Sequence, residues 1–187
     1  MISDDDLQKL DLATEAFERV LCGDDAIGTQ PSRCPGWSTR DVANHVLGGA
    51  IRYKQYFSDD DQAVIAWTRT ADHVGTDPVG AHRKLSDALR REFVDHRDDD
   101  IVLHHPIQDV DAATLLVMRV QELVLHSWDI ASVTEPDTEL DPSLCRFLLD
   151  RGEPVRTMLR AAGALGSASA PSGDGLTAQL LAEWGRG

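Results

Sequence analysis

A chain of 187 residues is long enough for one domain with a sizeable hydrophobic core, and a second large domain is not expected. Its 18 Lys and Arg residues against 32 Asp and Glu residues give a formal net charge of −14, which disfavours binding to nucleic acids and to anionic membrane surfaces. Hydrophobic residues make up 42% of the chain, so the acidity is that of a solvated surface on a folded protein.

The cysteines and the N-terminus bear on the cellular compartment. The chain has three cysteines, Cys22, Cys34 and Cys145, and none of them forms a CxxC motif. Their spacing therefore predicts neither a disulfide framework nor a zinc ribbon. The first six residues lack the basic and apolar regions of a signal peptide, and the most apolar run, residues 115–120, is interrupted by Arg119. We therefore expect a cytoplasmic protein without a membrane span.

Apolar residues recur at three- and four-residue steps along most of the chain, which predicts a succession of helices. Ser3 and the aspartates after it are typical of a helix start. Ser38 and Asp41 form a capping box at a second start, with Trp37 and Val42 at the spacing of a hydrophobic staple. The predicted helices run from Asp4 to about Cys22, Thr39 to about Phe57, Val64 to Thr70, Pro78 to about Asp95, Ala112 to Val133, Pro142 to about Ala162 and Leu176 to Trp184.

The connections and the central helix define the expected fold. Gly, Pro and Ser residues mark a loop over 23–36, residues 101–107 favour an extended crossover, and residues 163–175 are expected to be a flexible linker within the domain. Gly48 and Gly49 inside the second helix predict close packing against another helix. The helix from Ala112 is apolar almost all round, which places it at the centre. The predicted class is an all-α four-helix bundle with a long crossover and a short C-terminal helix.

Glu122 and His126 are the residues that point to chemistry. They stand four residues apart on the central helix and therefore face the same way, at a spacing that suits one metal ion. Burying Glu122 among apolar residues without a partner would cost several kcal/mol, so a compensating group is expected. His45 on the second helix is the natural third ligand of a zinc-type site. Taken by itself, the same spacing also fits a salt bridge or a surface pair.

Three further residues near these helices have both a functional and a structural interpretation. Asp129 could accept a hydrogen bond from a ligand imidazole, or it could be a helix-surface acid or the partner of an arginine. Trp37 is interpreted as a core or staple residue rather than a substrate platform. Cys34 is interpreted as a packed, unreactive loop residue.

Three segments carry a resemblance to a known family. Residues 31–49, PSRCPGWSTRDVANHVLGG, resemble the N-terminal signature of the mycothiol-dependent maleylpyruvate isomerase family, and are closest to its short, metal-binding branch within the DinB-like superfamily. Residues 122–129, ELVLHSWD, resemble the second signature, and residues 180–186, LLAEWGR, resemble the C-terminal turn. The segments occur in the order found in the family.

The resemblance implies a single DinB-like helical-bundle domain over residues 1–187. It implies a divalent metal, zinc or alternatively nickel, bound by His45, Glu122 and His126 with an open coordination position. It also implies mycothiol as a co-substrate, with an electrophilic small molecule as the second partner. The oligomeric state stays open, with a homodimer among the alternatives.

Three functions are compatible with such a site. The leading hypothesis is a transferase or isomerase that depends on a low-molecular-weight thiol, in which the metal holds the thiol as a thiolate. The first alternative is a hydrolase that uses metal-bound water. The second is a non-enzymatic metal-binding regulatory module of the anti-sigma type.

Overall fold

The computed structural model describes residues 1–23, 26–58 and 62–186, and apart from two isolated β-bridges the regular structure in these ranges is helical. The prediction of an all-α fold is therefore confirmed. The helices are α1 (Asp4–Leu21), α2 (Thr39–Gln55), α3 (Gln62–Trp67), α4 (Pro78–Asp95), α5 (Ala112–Ala131), α6 (Pro142–Arg151), α7 (Glu153–Ala161) and α8 (Leu176–Glu183).

The starts of α1 and α2 are fixed locally, as the sequence predicts. The Ser3 hydroxyl accepts a hydrogen bond from the Asp6 N–H at 3.1 Å, and the Asp6 carboxylate accepts one from the Ser3 N–H at 2.9 Å. Ser38 and Asp41 form the same reciprocal pair at the start of α2. Each box satisfies two backbone donors that a helix start would otherwise leave free.

Helix α5 lies at the centre of the bundle. It packs against α1 and α2, and α4 packs on the outer side of both. Its fully buried side chains include Leu115, Leu116, Leu123 and Leu125. The all-round apolar character of α5 therefore has the expected cause, since no face of its middle turns is left to solvent.

The glycine pair of α2 allows two close approaches, and the predicted close packing is confirmed. A Cβ at Gly48 would lie 2.5 Å from the carbonyl oxygen of Thr68, which follows α3. A Cβ at Gly49 would lie 3.0 Å from Oε2 of Glu122 on α5. The pair thus brings the backbone of α2 against a neighbouring loop and against a charged side chain of the central helix.

The predicted helix from Pro142 to Ala162 is wrong in one respect, because it is two helices separated at Gly152. Pro154 lacks an N–H and fits only the first turn of a helix, so α7 restarts there instead of continuing α6. The ring of Trp184 packs beside the break, where a Cβ at Gly152 would lie 3.1 Å from Cζ2. The predicted crossover, residues 101–107, contains no helix, and its Leu103 forms an isolated β-bridge with Val110.

The C-terminal segment docks onto the bundle. Leu180, Leu181 and Trp184 are buried, as their spacing predicts. Residues 163–175 contain no helix, and Ser169 donates a backbone hydrogen bond to the carbonyl of Ala182 at 3.1 Å. The flexibility of this linker and the single-domain organisation stay predictions. Positions 24 and 25 of the predicted loop, and 59–61 before α3, lie outside the described residues.

No helix in the described ranges is both long enough and apolar enough to cross a membrane. The hydrophobic residues of the helices instead contribute to one cluster that includes side chains from α1, α2, α4, α5 and α8.

His82 on α4 provides a test of this packing by pH. Its ring is 1% exposed, lies beside Phe17 and has Nε2 3.1 Å from the carbonyl oxygen of Thr14. Burial lowers the pKa of His82 to about 4 from the usual 6.5. The unfolded chain therefore takes up a proton below pH 6.5 that the folded chain takes up only near pH 4, and stability falls as the pH falls through this window.

We expect His82 to remove about 3 kcal/mol from the free energy of unfolding between pH 6.5 and pH 4, at about 1.4 kcal/mol per pH unit. Denaturant unfolding of the wild type and of His82→Gln at several pH values checks this, because glutamine keeps an N–H donor but does not titrate. The prediction is wrong if both proteins lose stability equally across the window.

Candidate functional site

Helices α2 and α5 bring together the three residues that the sequence predicts as metal ligands. His45 lies on α2, and its Nε2 is 3.6 Å from Oε1 of Glu122 on α5. The rings of His45 and His126 meet edge to face with centroids 5.2 Å apart. All three side chains are mostly buried, and that of His45 is the most exposed, at 30%. The i,i+4 spacing on α5 and the capped start of α2 together produce this meeting.

Glu122 has the compensating group that its burial demands. Nη1 of Arg119, one turn earlier on α5, donates to Oε2 of Glu122 at 3.2 Å and to the carbonyl oxygen of Val46 on α2 at 2.9 Å. Burial alone would raise the pKa of Glu122, but His45 and the positive charges of Arg119 and Arg52 outweigh it and lower the pKa to about 2. The carboxylate is therefore ionised, with one oxygen toward Arg119 and the other toward His45.

His126 is oriented by Asp129, the residue that the sequence offers as an outer acceptor. The distance from Nδ1 of His126 to Oδ2 of Asp129 is 2.8 Å. Arg186 binds the same carboxylate as a fork, with Nε 2.8 Å from Oδ1 and Nη2 2.9 Å from Oδ2. Asp129 is fully buried, and the hydrogen bonds from His126 and Arg186 hold its pKa well below the usual range against the opposing effect of burial.

The contact with Asp129 determines which ring nitrogen of His126 can bind a metal ion. An ionised carboxylate can only accept a hydrogen bond, so Nδ1 of His126 carries the proton and Nε2 keeps its lone pair. Burial lowers the pKa of His126, although Asp129 opposes this effect, and the neutral ring is therefore favoured. A neutral imidazole with Nδ1 bonded to a carboxylate is the form in which histidines bind metals in proteins.

Cys34 is part of the site, which sequence reasoning missed. Its Sγ donates to Oδ2 of Asp129 at 3.1 Å and lies 3.8 Å from Nδ1 of His126. Among the described residues, Cys34, His126 and Asp129 form the one group of three candidate ligand atoms that all lie within 4.8 Å of one another. The ligand atoms of the predicted set, His45, Glu122 and His126, do not all lie within this distance of one another. The signal in the sequence was the position of Cys34 in a CPGW turn directly before α2.

The compact group is well explained as a hydrogen-bond network. Asp129 accepts from His126, Cys34 and Arg186, so the carboxylate is already satisfied. The fork of Arg186 would have to leave before Asp129 could bind a cation, because both oxygens are in use. Burial and the charge of Asp129 raise the pKa of the Cys34 thiol to about 12, which agrees with its interpretation as an unreactive group.

Trp37 lies beside the site and not in the core, so its interpretation as a core residue is wrong, and the predicted staple with Val42 stays a prediction. The side chain is 39% exposed, and its ring packs against that of His45 with centroids 5.0 Å apart. Trp37 lines two cavities of about 510 and 540 Å³. His45 and Arg52 line the first, and His126 lines the second.

The second cavity combines aromatic, cationic and small side chains. Its walls include Trp128 and Trp184, and its charged residues are Arg33 and Arg186. The Arg33 guanidinium donates to the backbone carbonyl of Ser132 at 3.0 Å and lies 6.0 Å from the centroid of Trp128. A small ligand in either cavity would lie beside a histidine of the predicted set.

The fold and the site geometry define a DinB-like helical bundle with a histidine and carboxylate cluster between two of its helices. The profile of the mycothiol maleylpyruvate isomerase N-terminal domain matches residues 10–131, and the chain belongs to this family.

Two uncharacterised proteins of Mycobacterium tuberculosis, from strains CDC 1551 / Oshkosh and H37Rv, are each 25% identical over 137 residues, which cover 71% of this chain and 69% of the relative. A crystal structure of the mycothiol-dependent maleylpyruvate isomerase is similar with a TM-score of 0.68 and 19% identity, over 98% of this chain and 89% of the other. A histidine-to-alanine mutant of that isomerase has a TM-score of 0.60 and 19% identity, over 79% and 68%. At these identities the likeness to the solved structures shows the fold.

The state of Cys34 gives a test of the network. A thiol with a pKa near 12 is almost entirely protonated at pH 8, and only the thiolate attacks an alkylating agent. We expect iodoacetamide to modify Cys34 at least about tenfold more slowly than the exposed Cys22 in the folded protein. Peptide mapping by mass spectrometry at several times measures both rates. The difference should disappear in denaturant, and equal rates in the folded protein would contradict the network.

Proposed function

We propose that this chain is a metal-dependent enzyme in which a low-molecular-weight thiol, such as mycothiol, reacts with an electrophilic small molecule in an isomerisation or transfer. The observation that carries the proposal is the convergence of His45, Glu122 and His126 from two helices beside Trp37, where two cavities are found. The family membership supports it, since the family is named for a mycothiol-dependent isomerase.

The donor set fits a divalent ion. Two imidazoles and one carboxylate are the ligands of many catalytic zinc sites, in which a fourth position stays open. The oxygen Oε1 of Glu122 faces His45, and the orientation of His126 by Asp129 leaves Nε2 free to bind. When bound, the ion would supply a Lewis acid that lowers the pKa of a coordinated thiol or water.

The remaining residues of the site orient the two histidines and add a positive charge to the cavity wall. Asp129 holds the ring of His126 in one tautomer, and Arg186 holds Asp129. The ring of Trp37 packs against one side of His45. Arg52 lies at the wall of the His45 cavity and is 7% exposed, and no described carboxylate lies within 4 Å of its guanidinium nitrogens. It therefore favours a ligand that carries negative charge.

Two cavities at one site favour a reaction of two small molecules over hydrolysis. A thiol and an electrophile need separate binding volumes that meet at the reacting atoms, and each cavity here includes one histidine of the site. Hydrolysis would need a base placed to activate water. The carboxylates of the cluster are already engaged, Glu122 with Arg119 and Asp129 with Arg186.

The ligand set predicts the metal content of variants. We expect wild-type protein, expressed without a histidine tag, to contain about one zinc or nickel ion per chain, and His45→Ala and His126→Ala each to lose most of it. Elemental analysis of freshly purified protein measures the content. Two matched controls, Cys34→Ser and His96→Ala, the latter at a partly buried histidine outside the site, should keep the metal. If Cys34→Ser loses the metal while His45→Ala keeps it, the ion is instead bound by Cys34, His126 and Asp129.

Glu122→Gln separates a metal ligand from an ordinary ion-pair residue. It preserves volume but removes the charge that balances a cation, so we expect zinc affinity to fall at least about tenfold and thiol-dependent turnover to fall with it. The chelated variant should also be less stable than wild type by about 3 to 5 kcal/mol, because Arg119 is left buried and unpaired. Glu92→Gln, which breaks a partly exposed pair with Lys54 outside the site, is the matched control and should change metal affinity and stability little. Equal loss of stability with and without zinc would indicate an ion pair alone.

The activity itself is tested with a panel of thiols. Mycothiol, glutathione and cysteine are each incubated with the zinc-loaded protein and maleylpyruvate, and the products are separated and identified by mass spectrometry. We expect turnover that requires both a thiol and His45, and loss of turnover on chelation. Tight zinc retention without turnover on any electrophile tried would favour the regulatory module.

A further inference from the structure

Arg119 is a deeply buried charged side chain beside the site, and the predicted ligand set does not include it. The residue is 1% exposed, and its Nη1 bridges the carboxylate of Glu122 and the carbonyl oxygen of Val46. Its Nη2 is also buried and has no hydrogen-bond partner among the described residues. A guanidinium in such surroundings is costly unless its charge is needed.

The two carboxylate oxygens of Glu122 face different neighbours. Oε2 accepts from Arg119 at 3.2 Å, and Oε1 lies 3.6 Å from Nε2 of His45. Arg119 and Glu122 fit against α2 because Gly49 has no side chain. A Cβ at Gly49 would lie 3.0 Å from Oε2 of Glu122 and 3.3 Å from Nη1 of Arg119. The backbone of α2 therefore holds Arg119 and Glu122 in contact, whatever else binds on the His45 side.

We propose that Arg119 is a positioning residue that acts as the permanent counter-charge of Glu122 and thereby weakens the binding of a cation to the ligand set of His45, Glu122 and His126. This inference rests on the proposed metal site. Without an ion, Arg119 neutralises Glu122 and allows the bundle to fold. With an ion, the guanidinium stays beside it, and the two positive charges repel across a partly buried site where screening is weak.

The arrangement sets metal affinity and fold stability in opposition. A purely structural arginine would leave metal affinity unchanged or reduced when it is removed, because Glu122 would lose its orientation. If Arg119 is a counter-charge, its removal increases metal affinity, because the cation is then attracted by a carboxylate that no other charge neutralises. Removal of the charge should therefore destabilise the metal-free protein and tighten the binding of metal in the same variant.

The experiment compares wild type with Arg119→Met, Arg119→Gln and Arg119→Lys at a fixed pH of about 7.5. Zinc affinity is measured by competition with a chromophoric chelator, and denaturant unfolding is measured with chelator present. We expect the methionine and glutamine variants to bind zinc at least about tenfold more tightly than wild type and to unfold at lower denaturant. Arg119→Lys keeps the charge and should stay within about threefold of the wild-type affinity.

The outcomes separate this inference from the function on which it rests. If wild type binds zinc through His45 but the methionine and glutamine variants bind no more tightly, the counter-charge is wrong while the metal site stands. If wild type shows no zinc binding that depends on His45, both are wrong. Should Arg119→Met fail to fold, Arg119→Gln decides the matter, because its amide can still donate to the carbonyl of Val46.

Discussion

The structure depends on the compensation of charges that helix α5 carries into the core. A buried, unpaired charge costs several kcal/mol, so each charge on α5 constrains the element that supplies its partner. Glu122 is paired with Arg119, which also bonds to the backbone of α2 through Val46. Asp129 is paired with Arg186 from the C-terminal end of the described chain. The contacts of Arg119 with Val46 and of Arg186 with Asp129 thus link α2 and the C-terminal turn to α5.

The same pairs give the site its chemical character. The pair of Asp129 and Arg186 is internally neutral, and its role is to set the ring of His126. Around Glu122, in contrast, two guanidiniums lie near one carboxylate, since a Cβ at Gly49 would lie 3.0 Å from Oε2 of Glu122, 3.3 Å from Nη1 of Arg119 and 3.5 Å from Nη2 of Arg52. A site with this excess of positive charge favours anionic ligands over neutral ones, which agrees with a role in holding a thiolate.

Most residues of the candidate site lie in the part of the chain that the family profile matches. The residues matched to the family profile end at 131, within α5, and they include His45, Glu122, His126 and Asp129. Arg186 lies outside the matched range, yet its guanidinium completes the hydrogen bonding of Asp129. The docking of the C-terminal turn through Leu180, Leu181 and Trp184 therefore contributes to the candidate site as well as to the core.

The sequence by itself determined the helices and the face that Glu122 and His126 share, because capping boxes, apolar periodicity and i,i+4 spacing act over one or two turns. It missed the break at Gly152, although Pro154 signalled it, since the apolar spacing continued across the break. Only the tertiary structure decided which distant groups meet. Cys34 and Arg186 stand 92 and 57 positions from the side chains they contact on α5, and the ring of Trp37 packs against that of His45. Such contacts depend on how whole helices pack, and no local pattern of residues encodes them.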